Sequence, residues 1–229
     1  MARYLIIGAS RGIGRAVAAH LAEHGHEILS VSRTPAHVGH WIKADVGTPD
    51  GVAHVVESVG DAALDGLLFL GGIWEKGAFV GAYDFLQSPV SEILQVIAVN
   101  LTAPILLAQG LTPVLSRSGA ARIILIGSTT GLPNAATVEV ANTASKFGLM
   151  GVAEALNLSL RPFRIATTVI NPDNVETPEV LEDIETGAFS PQRPIPMTDL
   201  IGTVTYVLGL SSDSVPTVID LRQTAPGES

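Results

Sequence analysis

Short aliphatic and β-branched runs alternate along this chain with longer amphipathic segments, and that alternation leaves few folds open. Strands are expected near residues 3–8, 27–32, 65–70, 121–127, 164–170 and 217–221, with one more ahead of Asp45, and helices over 12–24, 49–60, 89–116, 140–160 and 198–210. The strand runs (Tyr4–Ile7, Leu67–Leu70, Ile123–Ile126, Ala166–Ile170) are close to continuously apolar rather than alternating. Strands of that kind are buried on both faces, which calls for a parallel sheet covered by helices on each side. The expected architecture is one α/β domain over residues 1–229, with ligands at the carboxyl ends of the strands.

Composition narrows the classes of partner. A chain of 229 residues that is 47% hydrophobic has ample material for one core. Its apolar runs of four to eight residues fall short of the roughly 20 that a membrane helix needs, so no membrane association is expected. The absence of cysteine excludes disulfides and thiolate metal sites, and a strand starting within three residues of Met1 leaves no room for a targeting peptide; a cytoplasmic protein is expected. A net charge of −9 with only 13 scattered Lys and Arg argues against a nucleic-acid partner. Residues 172–197 are rich in proline and acid without a clear period and read as a loop or lid, and the polar stretch 222–229 as a fraying tail.

The first strand ends in Gly8-Ala9-Ser10-Arg11-Gly12-Ile13-Gly14 and passes directly into the first helix. A glycine-rich turn there can present backbone N–H groups and a helix N-terminus to a pyrophosphate; the alternative is a tight turn with no ligand. In this setting the fold is a Rossmann-type doubly wound parallel sheet of about seven strands.

The G-x-x-x-G-x-G spacing resembles that of the short-chain dehydrogenase/reductase family, and further segments agree in order and distance. Asp65 to Ile73 looks like the family's fourth strand with its Asn-Asn-Ala-Gly turn, Val99-Asn100 like its helix-four asparagine, and Ile126-Gly127-Ser128 like the strand that ends in the catalytic serine. Asn142 to Lys146 and Asn171 to Thr177 resemble the Tyr-x-x-x-Lys and Pro-Gly-x-x-x-Thr segments. The ordered set covers essentially the whole chain. It implies a dinucleotide held by Gly8, Ser10, Arg11, Gly12, Ile13 and Gly14, by Gly71 and Gly72, and by Pro172, Val175 and Thr177, the last two fixing the carboxamide.

The choice of dinucleotide turns on the end of the second strand. An acidic residue there would accept from a ribose 2′-OH, whereas this chain has Ser32-Arg33. Arg11 and Arg33 together match the arrangement of NADP-preferring relatives, so NADP(H) is the expected cofactor; alternatively both are ordinary surface arginines. Asp45-Val46 resembles the pair that holds the adenine, and Asp45 could equally cap the following turn.

Carbonyl reduction needs a placed nicotinamide, hydrogen bonds to the developing oxyanion and a proton for the oxygen. The resemblance assigns the oxyanion contact to Ser128, the nicotinamide ribose to Lys146 and support of a water to Asn100. The position of the catalytic tyrosine holds Asn142. An amide can donate a hydrogen bond but cannot surrender a proton at neutral pH. Three lesser departures accompany it: Phe69-Leu70-Gly71-Gly72 at the strand-four turn, Asp173 after Pro172, and a Ser128 to Asn142 distance of 14 residues where 13 is usual. Of the three tyrosines, only Tyr83 lies where a substrate pocket could reach it, and it reads as a lid or surface residue.

Two functions follow. One is an NADP(H)-dependent short-chain oxidoreductase, of the carbonyl reductase or alcohol dehydrogenase type, acting on a small ketone or alcohol with an impaired or altered proton-donor step. The other is a non-catalytic NADP-binding protein with a regulatory or assembly role. His20, His24 and His26 superficially suggest a metal face, but they sit at the end of a helix where cationic side chains suit the dipole, and no metal is expected. Helices 89–116 and 140–160 are apolar over more than one face; relatives associate through these helices, which implies a homodimer or homotetramer.

Overall fold

The computed structural model describes residues 1–78 and 81–224. Seven parallel strands form one sheet in the order β3-β2-β1-β4-β5-β6-β7. They are β1 (Arg3–Ile7), β2 (Glu27–Ser32), β3 (His40–Lys43), β4 (Gly66–Phe69), β5 (Arg122–Ile126), β6 (Ala166–Pro172) and β7 (Val218–Leu221). Alternate residues of the central strands serve different layers. Leu5, Ile7, Leu67, Phe69, Ile123 and Leu125 enter one core, against α2 (Pro49–Val59), α4 (Ala103–Leu115) and α5 (Val140–Ser159). Tyr4, Ile6, Leu68, Ile124 and Ile126 enter the other, against α1 (Gly12–Glu23) and α7 (Met197–Gly209). Both faces of the central strands β1, β4 and β5 are therefore dry, which is why they read as unbroken apolar runs.

Three details depart from the sequence reading. The segment 172–197 contains a helix, α6 (Pro178–Glu185), capped by the Thr177 hydroxyl on the Val180 amide at 3.3 Å; its short length and weak apolar content hide it in the sequence. The helix expected over 89–116 is interrupted: α3 (Val90–Ile97) and α4 are joined through a π-helical turn at Ala98–Thr102 that carries Asn100. The whole stretch Val90–Ser118 is 29 residues long and apolar enough to cross a bilayer by length and composition, which the short apolar runs did not reveal; Leu107, Leu111 and Leu115 on it are core residues. Of the expected tail, 225–229 lies outside the described residues.

The side of the sheet away from the strand carboxyl ends is tied by Arg122, which is 2% exposed. Its guanidinium donates to the carbonyls of Leu210 at 3.0 Å, Ser214 at 2.9 Å and Ser211, holding the α7–β7 connection on the start of β5. Its Nε has no partner and no carboxylate pairs with it among the described residues. Arg122→Met is expected to lower stability by about 2–3 kcal/mol, since hydrogen bonds from a charged donor are lost together. Urea denaturation monitored by far-UV circular dichroism reads this directly, and an unchanged midpoint would show the clamp to be dispensable.

Candidate active site

The glycine turn lies where the strand order reverses, between β1 and β4, the position at which doubly wound sheets open a crevice. Gly8 has φ +87°, and a Cβ there would meet the Gly71 Cα at 2.5 Å, so the two strand-end turns touch backbone to backbone. A Cβ on Gly14 would lie 2.3 Å from the Gly8 carbonyl oxygen, and glycine is what lets α1 pack this closely on the strand exit. Gly14 thus shapes the loop without facing the crevice. Arg11 occupies the N-cap of α1 and makes no side-chain cap, and the first turn holds no acidic residue. The leading N–H groups of α1 are left for an anion.

A cleft of about 690 Å³ opens over this turn. Gly8, Ser10, Arg11, Gly12 and Ile13 form its floor, Gly71 and Gly72 one flank, and Ser32, Arg33, Asp45 and Val46 the far end, so twelve of the sixteen residues expected to hold the cofactor line it, Thr177 included. Asp45 also does the capping its sequence position allowed, accepting from the Gly47 amide at 2.9 Å. The Ser32 hydroxyl donates to the Thr34 carbonyl at 2.6 Å and accepts from the Trp41 indole at 3.1 Å. Pro172 and Val175 are buried off the cleft, Val175 in an isolated bridge to Ile195 that pins the segment before α6. They support the cleft without lining it.

Three of the residues assigned to chemistry, Asn100, Asn142 and Lys146, gather behind Gly72. A Cβ on Gly72 would lie 3.5 Å from Asn100 Oδ1 and 3.6 Å from Lys146 Nζ. Asn100 is clamped to the β4 exit, donating from Nδ2 to the Ile73 carbonyl at 2.8 Å and accepting the Ile73 amide on Oδ1 at 2.9 Å. The same Nδ2 faces Asn142 Oδ1 at 3.4 Å and the Ser145 hydroxyl at 3.3 Å. The wide turn that bears Asn100 is a common device for aiming a residue at a site. Lys146 is 5% exposed and donates from Nζ to the Ile126 carbonyl at 3.1 Å. Burial pushes its pKa down to about 8, so its ammonium can lose a proton near neutrality. Ser128 follows β5, its amide donating to Asn171 Oδ1 at 3.2 Å and its hydroxyl accepting from the Thr130 amide at 3.2 Å. The turn it opens packs on α5 at Lys146: a Cβ on Gly131 would meet the Lys146 carbonyl carbon at 2.7 Å.

The short chain dehydrogenase family profile matches residues 3–186. The chain belongs to the short-chain dehydrogenases. It is 31% identical over 184 residues to short chain dehydrogenase adrF of Penicillium rubens, covering 76% of this chain and 69% of that protein. Among solved structures, a 3-ketoacyl-(acyl-carrier-protein) reductase from Brucella melitensis complexed with NADH superposes with a TM-score of 0.80 at 21% identity, covering 96% of each chain. A short-chain dehydrogenase from Sphingobium yanoikuyae in complex with NADPH does so with a TM-score of 0.78 at 23% identity, covering 96% of this chain and 87% of that one.

Against that family background, Asn142 is 3% exposed and its side chain points to Asn100. Tyr83 reaches the first turn of α5, its hydroxyl accepting from the Val140 amide at 3.4 Å. It makes no contact with Lys146 among those described.

Two features of the short-chain dehydrogenase site were missed in the sequence. Glu75, 2% exposed, accepts the Ala141 and Asn142 amides on one oxygen at 2.7 and 3.1 Å, closing the N-terminus of α5, while Oε2 is buried without a partner. A single acid in a connection carries no spacing that would flag it. Glu179 and Asp183 line the cleft from α6, four residues apart on one helix face; an i, i+4 pair of acids was visible, but not the helix that displays it. A separate groove of about 630 Å³ between α7 and β7 lies away from all of these groups.

Proposed function

We propose that this short-chain dehydrogenase is an NADP(H)-dependent reductase of small ketones, or the corresponding alcohol dehydrogenase, whose proton-donor step is impaired by asparagine at position 142. The observation that carries this reading is Lys146: a buried ammonium, costly to hold, kept in place beside Asn100 and Gly72 although the hydroxyl it would activate is gone. A nicotinamide held in the cleft would supply the hydride. Arg11 on the cleft floor and Arg33 at its far end would hold a 2′-phosphate, and the N–H groups that open α1 would hold the pyrophosphate. The Ser128 hydroxyl, at the end of β5, orients the carbonyl oxygen and donates to it as charge develops. Asn142 cannot complete the step, and the oxygen would take its proton from a water that the Lys146 ammonium reprotonates, leaving the lysine neutral until it recovers a proton from solvent.

Exposed Val90, Leu94 and Ile105 on the α3–α4 stretch and Leu158 on α5 support assembly as a homodimer or homotetramer. The test is nicotinamide oxidation over a panel of neutral ketones and aldehydes with NADPH and NADH. Slow turnover with a larger kcat/KM for NADPH is expected. Nucleotide binding without consumption of any carbonyl would favour a nucleotide-binding regulator instead.

A further inference from the structure

The cleft that receives a polyanionic ligand carries carboxylates on the wall formed by α6. Glu179, in the first turn of α6, places Oε1 3.6 Å from Arg11 Nη1. Its other oxygen, Oε2, lies 3.9 Å from where a Gly12 Cβ would stand, directly over the turn that opens α1. Asp183 follows one turn later on the same lining. An acid in a first helical turn is ordinarily explained by the helix dipole. That explanation does not account for a side chain that reaches across the cleft to a residue 168 positions earlier and covers the glycine turn.

We propose that Glu179 is a specificity-determining residue that competes with the nucleotide 2′-phosphate for Arg11. The inference rests on the reading of this cleft as a nicotinamide-nucleotide site. In the structure Arg11 is paired with Glu179. A 2′-phosphate must displace that carboxylate to gain the guanidinium, whereas a nucleotide with a free 2′-OH has no such exchange to make. The competition therefore acts on NADPH more than on NADH, and the chain discriminates between them less than two arginines alone would. Glu179 also faces the pyrophosphate, a repulsion common to both nucleotides, so the ratio of the two affinities is the diagnostic quantity rather than either one.

The experiment is a titration of NADPH and NADH, followed by energy transfer from the protein's tryptophans to the reduced nicotinamide, for this chain, Glu179→Gln, Arg11→Gln and the double variant. Loss of an exposed competing ion pair should raise the NADPH over NADH affinity ratio by about threefold to fivefold in Glu179→Gln. In the Arg11→Gln background the same change should leave the ratio where it was, and raising the salt concentration should shrink the effect. Equal tightening of both nucleotides, or an unchanged ratio, overturns the competition while leaving the nucleotide site intact. Failure of either nucleotide to bind any of the four proteins overturns the cofactor reading and the competition with it.

Discussion

Replacing Asn142 with tyrosine is expected to raise the kcat for NADPH-dependent ketone reduction by about 10²–10⁴, the usual contribution of a positioned general acid. The new hydroxyl would stand on the helix face that carries Lys146 one turn later, and the Lys146 charge would favour the phenolate and so ease proton release. Two accompanying observations separate chemistry from disturbance. The NADPH dissociation constant should stay within about twofold, because position 142 is absent from the cleft lining. Thermal stability should fall modestly, by about 1–3 kcal/mol, because the asparagine is buried against Asn100 and a ring must be accommodated. Equal turnover in both proteins would sink the missing-donor argument and direct attention to Tyr83, whose hydroxyl already touches the first turn of α5, or to a Lys146-linked water. Turnover in neither, with nucleotide bound, would mark the chain as a binding protein.

Much of this was legible in the sequence, for reasons that can be traced to particular residues. The sheet was readable because strands such as Ile123–Ile126 feed both cores, leaving no polar position to confuse the period. The glycine turn was readable because Gly8 and Gly14 answer backbone contacts that no other residue tolerates. What stayed hidden depends on side chains meeting across the fold. Glu75 closes a helix 66 residues away from it, and Glu179 meets Arg11 only because α6 lies over the cleft. Asn142 could be read only by its place in a motif, and not as a residue turned inward to Asn100, since that contact joins residues on two helices 42 positions apart. Pro172 and Val175 were placed in the site by their position in a motif, and packing, which the motif does not encode, puts them behind it.

Lys146 supplies the second large effect, and here function and stability are expected to move in opposite directions. Its pKa is lowered from 10.5 to about 8, with desolvation as the cause, so between these values the unfolded chain binds a proton that the folded chain does not. Stability must then rise with pH across that window, and below about pH 8, where both states are protonated, the full cost of the buried ammonium remains, about 3 kcal/mol at 1.36 kcal/mol per pH unit. Lys146→Met removes the charge and keeps most of the volume, at the loss of the hydrogen bond to the Ile126 carbonyl. The variant should be more stable than the parent by about 2 kcal/mol at pH 7, and this advantage should shrink to under about 1 kcal/mol at pH 10, where the parent lysine is largely neutral. Denaturation of both proteins at the two pH values isolates the term, because other titrating groups cancel in the difference. A variant that is less stable at pH 7, or whose advantage is independent of pH, would show that Lys146 is held as a structural cation. If the advantage appears as expected while NADPH-dependent turnover is lost even in the Asn142→Tyr background, the ammonium is maintained against stability for the sake of the site, which is the behaviour expected of a group retained for chemistry.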